Sequence, residues 1–563
     1  MNEGTIQALV CDGDRQRLVV DEPSVATPPA SGGRRRRLSI CWLLFAALLV
    51  WGAWADIQIV RGGVPYSEQL DEITIAKTAG RIFVEGDPNP HFFRYPSLPI
   101  YLCTAAYAVG YLEARWLGEA NTRSELWTSS SFRADQTLAS SARLVFAALG
   151  LIALAAAGLL ARTLSSSPHA LYLAPLILFG SGLYQFQARR YLNVDIVGMA
   201  FCMLCLLHFV RCTSRGSLAG STALAGLLIG LAAASKYTLL VVATPWLIAY
   251  VSDEPKFIAR RVFVLLAVAA TTFVCLVPYS VLDASAFLAD LRSEALHYRT
   301  GHIGQADFTS APGFAHLLQI VEDVAVDYGG VLAGFALIGV VSTLRNNWRQ
   351  AVQLLSFPLL LASALAIHRT HFARNALAIH ALVAVYAAIG ILIAMRRAEQ
   401  AAAAVSWLRD RNWACKVISC VVLVAAGSTF PWSRMPLTHR LTADSRIAAT
   451  NWLLEHAPSG AHVFVPDVLE FDARPLLGHF EVHPLSLQEL ESRSSLPLRR
   501  GDYVLQPRVT NHPQRPWERR AEQLDRLFEG VKPIVAFGAM PIVLGVAFWH
   551  TQGWTALSVG VVP

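Results

Sequence analysis

Residues 67–102, "SEQLDEITIAKTAGRIFVEGDPNPHFFRYPSLPIYL", follow the first apolar run and open with two adjacent carboxylates, Asp71 and Glu72. Either a solvated loop or a site at a membrane surface would place charge there. Ser67 and Glu68 mark a helix start and "GDPNP" a stop. Leu70, Ile73, Ala76 and Phe83 fall near one face, so the spacing predicts a short amphipathic helix lying close to a bilayer. Asp71 falls in its first turns, where the helix dipole favours negative charge. A carboxylate held at a membrane boundary is what a general base needs. The plain alternative is a solvated helix N-terminus.

The surroundings decide for a membrane. The 563 residues are 54% hydrophobic and 15% charged, against roughly 25% charged in soluble domains. Apolar runs near the length of a transmembrane helix fall at Ile40–Ala55 and at about 140–160, 170–187, 193–210, 218–235, 237–251, 262–282, 327–344, 351–367, 375–395 and 414–430, about eleven in all. The first ends in "AWA", a possible peptidase site, but the long preceding tail and later spans favour a retained anchor. The expected fold class is an α-helical polytopic membrane protein with a small C-terminal α/β domain. Its predicted parts are a disordered cytoplasmic tail (1–38), a transmembrane domain (39–430) with outer loops 56–139 and 283–326, and an extracytoplasmic α/β domain (431–563).

Charge sets the orientation. The net charge of +7 comes mostly from Lys and Arg in short breaks between apolar runs, so it reports topology rather than nucleic-acid binding. With the N-terminus inside, Arg162, Arg211, Arg215, Lys256, Arg260, Arg261, Arg345, Arg349, Arg396 and Arg397 all fall in the cytoplasm. The long loops then share the outer face, at the periplasmic or extracellular side of an inner membrane. Residues 96–117 are apolar enough to span, but a span there would invert every later loop. They are therefore read as an amphipathic or re-entrant helix on the outer face. In the C-terminal part, "DSRIAATNWLLEHAP" has helical periodicity, with Ile447, Ala448, Trp452 and Leu453 on one side, and "AHVFVP" reads as a strand. The late stretch "PIVAFGAMPIVLGVAFWH" is interrupted by Pro541 and is read as two short strands rather than a span. Cys202 and Cys205 have metal-like spacing but no partner pair, and are read as packing residues.

Asp-Glu soon after the first span, followed by "DPNPHFFRYPSLPIYL", resembles the bacterial relatives of dolichyl-phosphate-mannose–protein mannosyltransferases, GT-C membrane glycosyltransferases. "ARLVFAALGLIALAAAGLLAR", "QARRYLNVD", "GLLIGLAAASKYTLLVVATPWL", "HYRTGHIG", "HFARNALAIHALVAVYAAIGIL" and "DSRIAATNWLLEHAPSGAHV" agree in order and spacing over most of residues 40–470. The resemblance implies a polyprenyl-phosphate sugar donor and transfer, with inversion, to an acceptor hydroxyl of a protein, lipid or glycan. It makes Asp71 the catalytic acidic residue and Glu72 a neighbour that orients it or binds acceptor. Successive side chains on a helix diverge by about 100°, so the two are not expected to meet the same proton.

A leaving phosphate needs cationic donors. Three basic sites lie at outer span ends: Arg189 with Arg190, Lys236, and Arg369 with Arg374. Arg374 is the first choice, because a guanidinium grips two oxygens, and Lys236 the second. For each, the alternative is snorkelling to headgroups. Asp195 is expected to pair with Arg189 or Arg190, or else to touch the sugar. His297 and His302 fall in a loop able to close over the donor, and His91, Arg94 and Tyr95 flank the amphipathic segment. No cofactor is required, and a divalent ion is an open option. The competing readings are a non-enzymatic lipid-linked glycan flippase or export component, and an oligosaccharide ligase or polymerase. A flippase would need buried charges along its spans, which look sparse in the sequence.

Overall fold

The computed structural model describes residues 32–63, 70–128, 133–134, 136–189, 192–216, 221–251, 255–301, 310–404, 445–466, 474–485, 499–507, 532–537 and 557–561. Helix α1 (Gly32–Gly63) is followed by α2 (Leu70–Glu85), α3 (Leu98–Trp116) and the short α4 (Arg123–Leu126). A two-residue ribbon, β1 (Trp127–Thr128) against β2 (Arg133–Ala134), leads into α5 (Gln136–Ser165). Next come α6 (Ala170–Gly180), α7 (Gly182–Arg189), α8 (Val194–Ser214), α9 (Thr222–Ser235), α10 (Thr244–Val251) and α11 (Pro255–Leu276). Helices α12 (Tyr279–Leu282), α13 (Ala284–Thr300), α14 (Phe314–Asn346), α15 (Trp348–Ala366) and α16 (Leu377–Ala404) complete the bundle.

Seven helices among the described residues are long and apolar enough to cross a membrane, and three shorter apolar helices accompany them. These ten correspond to the first ten predicted runs; the eleventh, 414–430, lies outside the described residues, as does the tail 1–31. Large apolar side chains such as Val50, Phe263, Leu337 and Leu359 are exposed on the spans. Aqueous solvent would penalise that surface, whereas hydrocarbon covers it. The chain is a multi-pass membrane protein.

Both predicted outer loops are largely helical. Segment 56–139 holds α2, α3 and the ribbon, and segment 283–326 holds α13 and the start of α14. Helix α3 is not among the seven candidate spans. It buries Ile100, Cys103 and Tyr107 and exposes Val109, Leu112 and Trp116, which fits an amphipathic helix.

Two devices shape the bundle. A Cβ on Gly339 would stand 2.0 Å from the Tyr386 carbonyl oxygen, and one on Gly390 1.8 Å from that of Phe335. The two glycines let α14 and α16 touch backbone to backbone, the small-residue packing that membrane helices favour. Helix α14 also kinks at Gly329, which has a φ of 73°. Beside the kink, buried Asp327 accepts from Ser181 Oγ (2.6 Å), the Leu183 N–H (3.1 Å) and His380 Nδ1 (2.8 Å). Its carboxylate thus satisfies the backbone at the α6–α7 break, which hydrocarbon would leave unpaired. Asp327 and Arg143 correct the reading that the spans carry few buried charges; the charges are present but partnered, Asp327 by His380 and Ser181 and Arg143 by Glu72.

The C-terminal part is the expected small α/β unit. Helix α17 (Ser445–His456) precedes a five-stranded sheet of β3 (His462–Pro466), β4 (Glu481–Leu485), β5 (Tyr503–Pro507), β6 (Lys532–Phe537) and β7 (Leu557–Val561). The strand order is β4-β3-β5-β7-β6, with β3 parallel to β4 and β5, and β7 antiparallel to β5 and β6. Ala449 and Leu453 of α17 pack on Val463, Val465, Leu505 and Val559. The buried stripe runs through Arg446, Ala449, Thr450 and Leu453, so Ile447 and Ala448 lie beside it rather than on it. Of the late apolar stretch, β6 covers the start and residues 538–556 lie outside the described residues.

Candidate functional site

Asp71 lies in the first turn of α2, and Arg374 in the 3-10 turn Ala373–Ala376 that leads into α16. Arg374 Nη2 stands 2.7 Å from Asp71 Oδ2. The Tyr95 hydroxyl donates to Asp71 Oδ1 at 2.7 Å. Burial and the adjacent Asp71 charge push the Tyr95 phenol well above its usual range, so it stays a donor.

A second carboxylate extends the network. Asp195 sits in the first turn of α8, where Asn193 caps the helix by accepting from the Asp195 N–H at 2.6 Å. Its Oδ1 pairs with Lys236 Nζ, and its Oδ2 lies 3.6 Å from Arg374 Nε. Lys236 also donates to Asn375 Oδ1 at 2.7 Å. Lys236 occupies the break between α9 and the 3-10 turn Tyr237–Ala243, with an extended backbone. Both cations therefore stand where a helix is interrupted, and the interruption turns their side chains into the bundle instead of along it. The Arg374 guanidinium also covers the Phe372 ring at 4.4 Å, a favourable cation–π contact.

These groups line one cavity of about 400 Å³, within the range of sites that enclose a small ligand. Its wall brings α2 together with α13, the α9 break and the turn before α16. The Tyr298 carbonyl, near the end of α13, accepts from the Arg369 and Thr370 N–H groups at 2.9 and 3.2 Å. That contact anchors α13 to the segment carrying Arg374. Across the cavity lies Glu294, which forms no ion pair among the described residues. Burial, opposed by the Arg94 charge and reinforced by Asp71, raises the Glu294 carboxyl above the ordinary glutamate range.

Of the residues singled out in the sequence, Asp71, Tyr95, Asp195, Lys236 and Arg374 converge on this cavity, with Arg94 and His297 beside them. Glu72 does not line it. Its carboxylate is buried and bonded twice by Arg143, Nε to Oε1 at 2.7 Å and Nη2 to Oε2 at 3.0 Å. One helical step separates the roles: Asp71 faces the cavity, and Glu72 clamps α2 to α5. His91 is also elsewhere. It is half-exposed, adopts a φ of 46° and pairs with Asp87 at 2.9 Å. Among the described residues, Asp195 pairs with Lys236 and Arg374. Arg189 ends α7, with its side chain outside the described residues, as are Arg190 and His302. His297 lies in the last turn of α13 rather than in a loop.

Glu294, Tyr298 and Asn375 were not singled out in the sequence. Glu294 reads there as one charge on an ordinary polar helix, and its role depends on where α13 packs. No local pattern separates it from the exposed Arg292 or Ser293 beside it.

Residues 134–281 match the family model for dolichyl-phosphate-mannose-protein mannosyltransferase. No curated protein matches the chain in sequence. In fold it is similar to ArnT from Cupriavidus metallidurans bound to undecaprenyl phosphate, with a TM-score of 0.51 at 12% identity, covering 94% of this chain and 98% of that one. The apo state of the same ArnT gives 0.50 at 11% identity, covering 92% and 97%. The apo Archaeoglobus fulgidus oligosaccharyltransferase gives a TM-score of 0.46 at 14% identity over 75% of this chain, which spans 62% of that protein's length. The chain thus shares the fold of ArnT, and its residues 134–281 match the dolichyl-phosphate-mannose-protein mannosyltransferase family model.

Proposed function

We propose that this chain transfers a sugar from a polyprenyl-phosphate donor to an acceptor hydroxyl at the outer face of an inner membrane, with inversion at the anomeric carbon. The observation that carries this reading is the convergence of Asp71, Arg374 and Lys236 on one cavity. The undecaprenyl phosphate bound by ArnT, a protein of similar fold, supports a donor of the same chemical class. The run of arginines and lysines in the alternate short loops supports the orientation.

In this mechanism the donor phosphate enters between Arg374 and Lys236. Arg374 offers a planar fork of N–H groups to two phosphate oxygens. Lys236 has three N–H bonds, of which Asp195 and Asn375 take two; the third meets the phosphate. Engagement of Arg374 by phosphate releases Asp71 from its ion pair. The freed carboxylate accepts the proton of the acceptor hydroxyl as its oxygen bonds to the anomeric carbon. The bond from that carbon to the phosphate oxygen breaks, and polyprenyl phosphate leaves with its electron pair and charge held by the two cations. Attack opposite the leaving group inverts the centre.

The test is transfer by purified protein from radiolabelled polyprenyl-phosphate sugars, native against Asp71→Asn. A general base contributes about 10²–10⁴-fold, so turnover should fall by that factor. Unchanged turnover in the variant would overturn the base assignment. Transport of the donor across vesicles with no transfer to any hydroxyl would replace the enzyme with a flippase.

A further inference from the structure

The C-terminal sheet carries a group of side chains that the transfer reaction does not use. Strands β3 and β4 are parallel, with His462 opposite Glu481 and Phe464 opposite His483. Side chains two apart on a strand share a face, so His462, Phe464, Glu481 and His483 all project from one side. Val463 and Val465, on the other side, fill the core against α17.

On that face His462 Nδ1 lies 2.8 Å from His483 Nε2 and 3.3 Å from Glu481 Oε2. A single ring proton cannot serve both neighbours well, and charging both imidazoles would set like charges face to face. The His462 and His483 rings stack at 5.1 Å with 22° between their planes. Phe464 stacks on His483 at 4.8 Å and 23°, fixing the ring that would otherwise rotate away. One donor atom from each of the three polar residues lies within 4.8 Å of the others.

We propose that His462, Glu481 and His483 form a transition-metal site of the zinc class, with water completing the coordination. Bonds of about 2.0–2.1 Å in a tetrahedral array place ligand atoms about 3.3 Å apart. The observed 2.8 and 3.3 Å separations need only a small opening of the two rings. Two imidazoles and one carboxylate suit a borderline-soft divalent ion better than Mg²⁺ or Ca²⁺, which favour all-oxygen sets. Strand β4 is at the sheet edge, and a metal bridging it to β3 would clip that edge in register.

The test uses the full chain in detergent, purified without a polyhistidine tag, stripped with chelator and dialysed. Zn²⁺ is titrated with elemental analysis of the bound metal, and Co²⁺ with visible absorption of the four-coordinate ion. The expected result is one metal per chain. His483→Phe, which keeps the ring stack, and Glu481→Gln, at a largely exposed position, should each weaken Zn²⁺ binding by at least the 10–100-fold that even outer-shell changes typically cost. Absence of stoichiometric Zn²⁺ in the native chain would overturn the proposal, as would equal binding by both variants. Sugar transfer should be the same in Glu481→Gln as in the native chain, so a failure here is distinct from a failure of the glycosyltransferase reading.

Discussion

Asp71 and Arg374 meet at 2.7 Å across the cavity, one from the first turn of α2 and the other from the turn before α16. Asp195 approaches the same guanidinium at 3.6 Å and also holds Lys236. These two carboxylates and two cations therefore alternate, and the four charges compensate one another in the resting site. An entering phosphate competes with Asp71 for Arg374, so donor binding and release of the base are the same event.

That competition predicts opposite effects on binding for the two partners. Asp71→Asn should leave polyprenyl-phosphate affinity unchanged or tighter, because a rival anion is gone, while kcat falls. Arg374→Lys loses the planar fork, a loss of about one charged hydrogen bond at 1.5–3 kcal/mol, or about 10–150-fold in affinity. Equilibrium binding of polyprenyl phosphate beside steady-state transfer measures both. Weaker binding by Asp71→Asn than by Arg374→Lys would reject the coupling.

If the two cations hold the leaving phosphate, a divalent ion is not needed for that task. Transfer by the purified chain should persist in excess EDTA. Activity abolished by EDTA and restored by Mg²⁺ or Mn²⁺ would assign the phosphate charge to a metal instead.

Glu294 gives a pH signature. Its folded-state carboxyl titrates above the ordinary value, near 4.3 for a free glutamate. Ionising it in the folded chain is therefore harder than in the unfolded chain. The resulting cost to stability is absent below the unfolded pKa, grows as pH rises through it, and levels off above the folded value. Glu294→Gln removes that cost, so it should raise Tm relative to native at neutral pH and leave it nearly unchanged near pH 4. Thermal unfolding in detergent across that range reads the difference. An equal shift at both pH values would show that Gln acts through packing rather than charge.

The legibility of this molecule in its sequence follows the range of the physics involved. Spans announce themselves locally, because about twenty apolar residues in a row have few other homes. Asp71 was also visible, since a carboxylate just past an anchor with a helix start before it is a local pattern. The ion-pair partners were not. The sequence offers Asp195 either its neighbours Arg189 and Arg190 or the sugar; the described partners are Lys236 and Arg374, which only the assembled bundle brings near. Glu72 was given a site role through adjacency to Asp71, and helix geometry turned it the other way. Glu294 had no signal, because a charged residue on a polar helix looks the same in solvent or in a cavity wall.

Glu72 and Arg143 make the sharpest stability prediction. Their side chains are 5% and 3% exposed and share two hydrogen bonds. Removing one partner takes the paired hydrogen bonds from a charge that stays in a low-dielectric interior, at about 3–5 kcal/mol. Arg143→Met should therefore lower Tm strongly. Glu72→Leu should do the same by taking both of these bonds from the buried guanidinium. The double variant removes both charges and buries apolar volume in their place, so much of the lost stability should return. A double-mutant cycle on Tm gives the coupling. Transfer adds a second readout. If the pair only clamps α2, the double variant should recover activity along with stability, since Asp71 regains its place. A chain stable as native yet inactive would instead give Glu72 a part in the reaction despite its distance from the cavity wall.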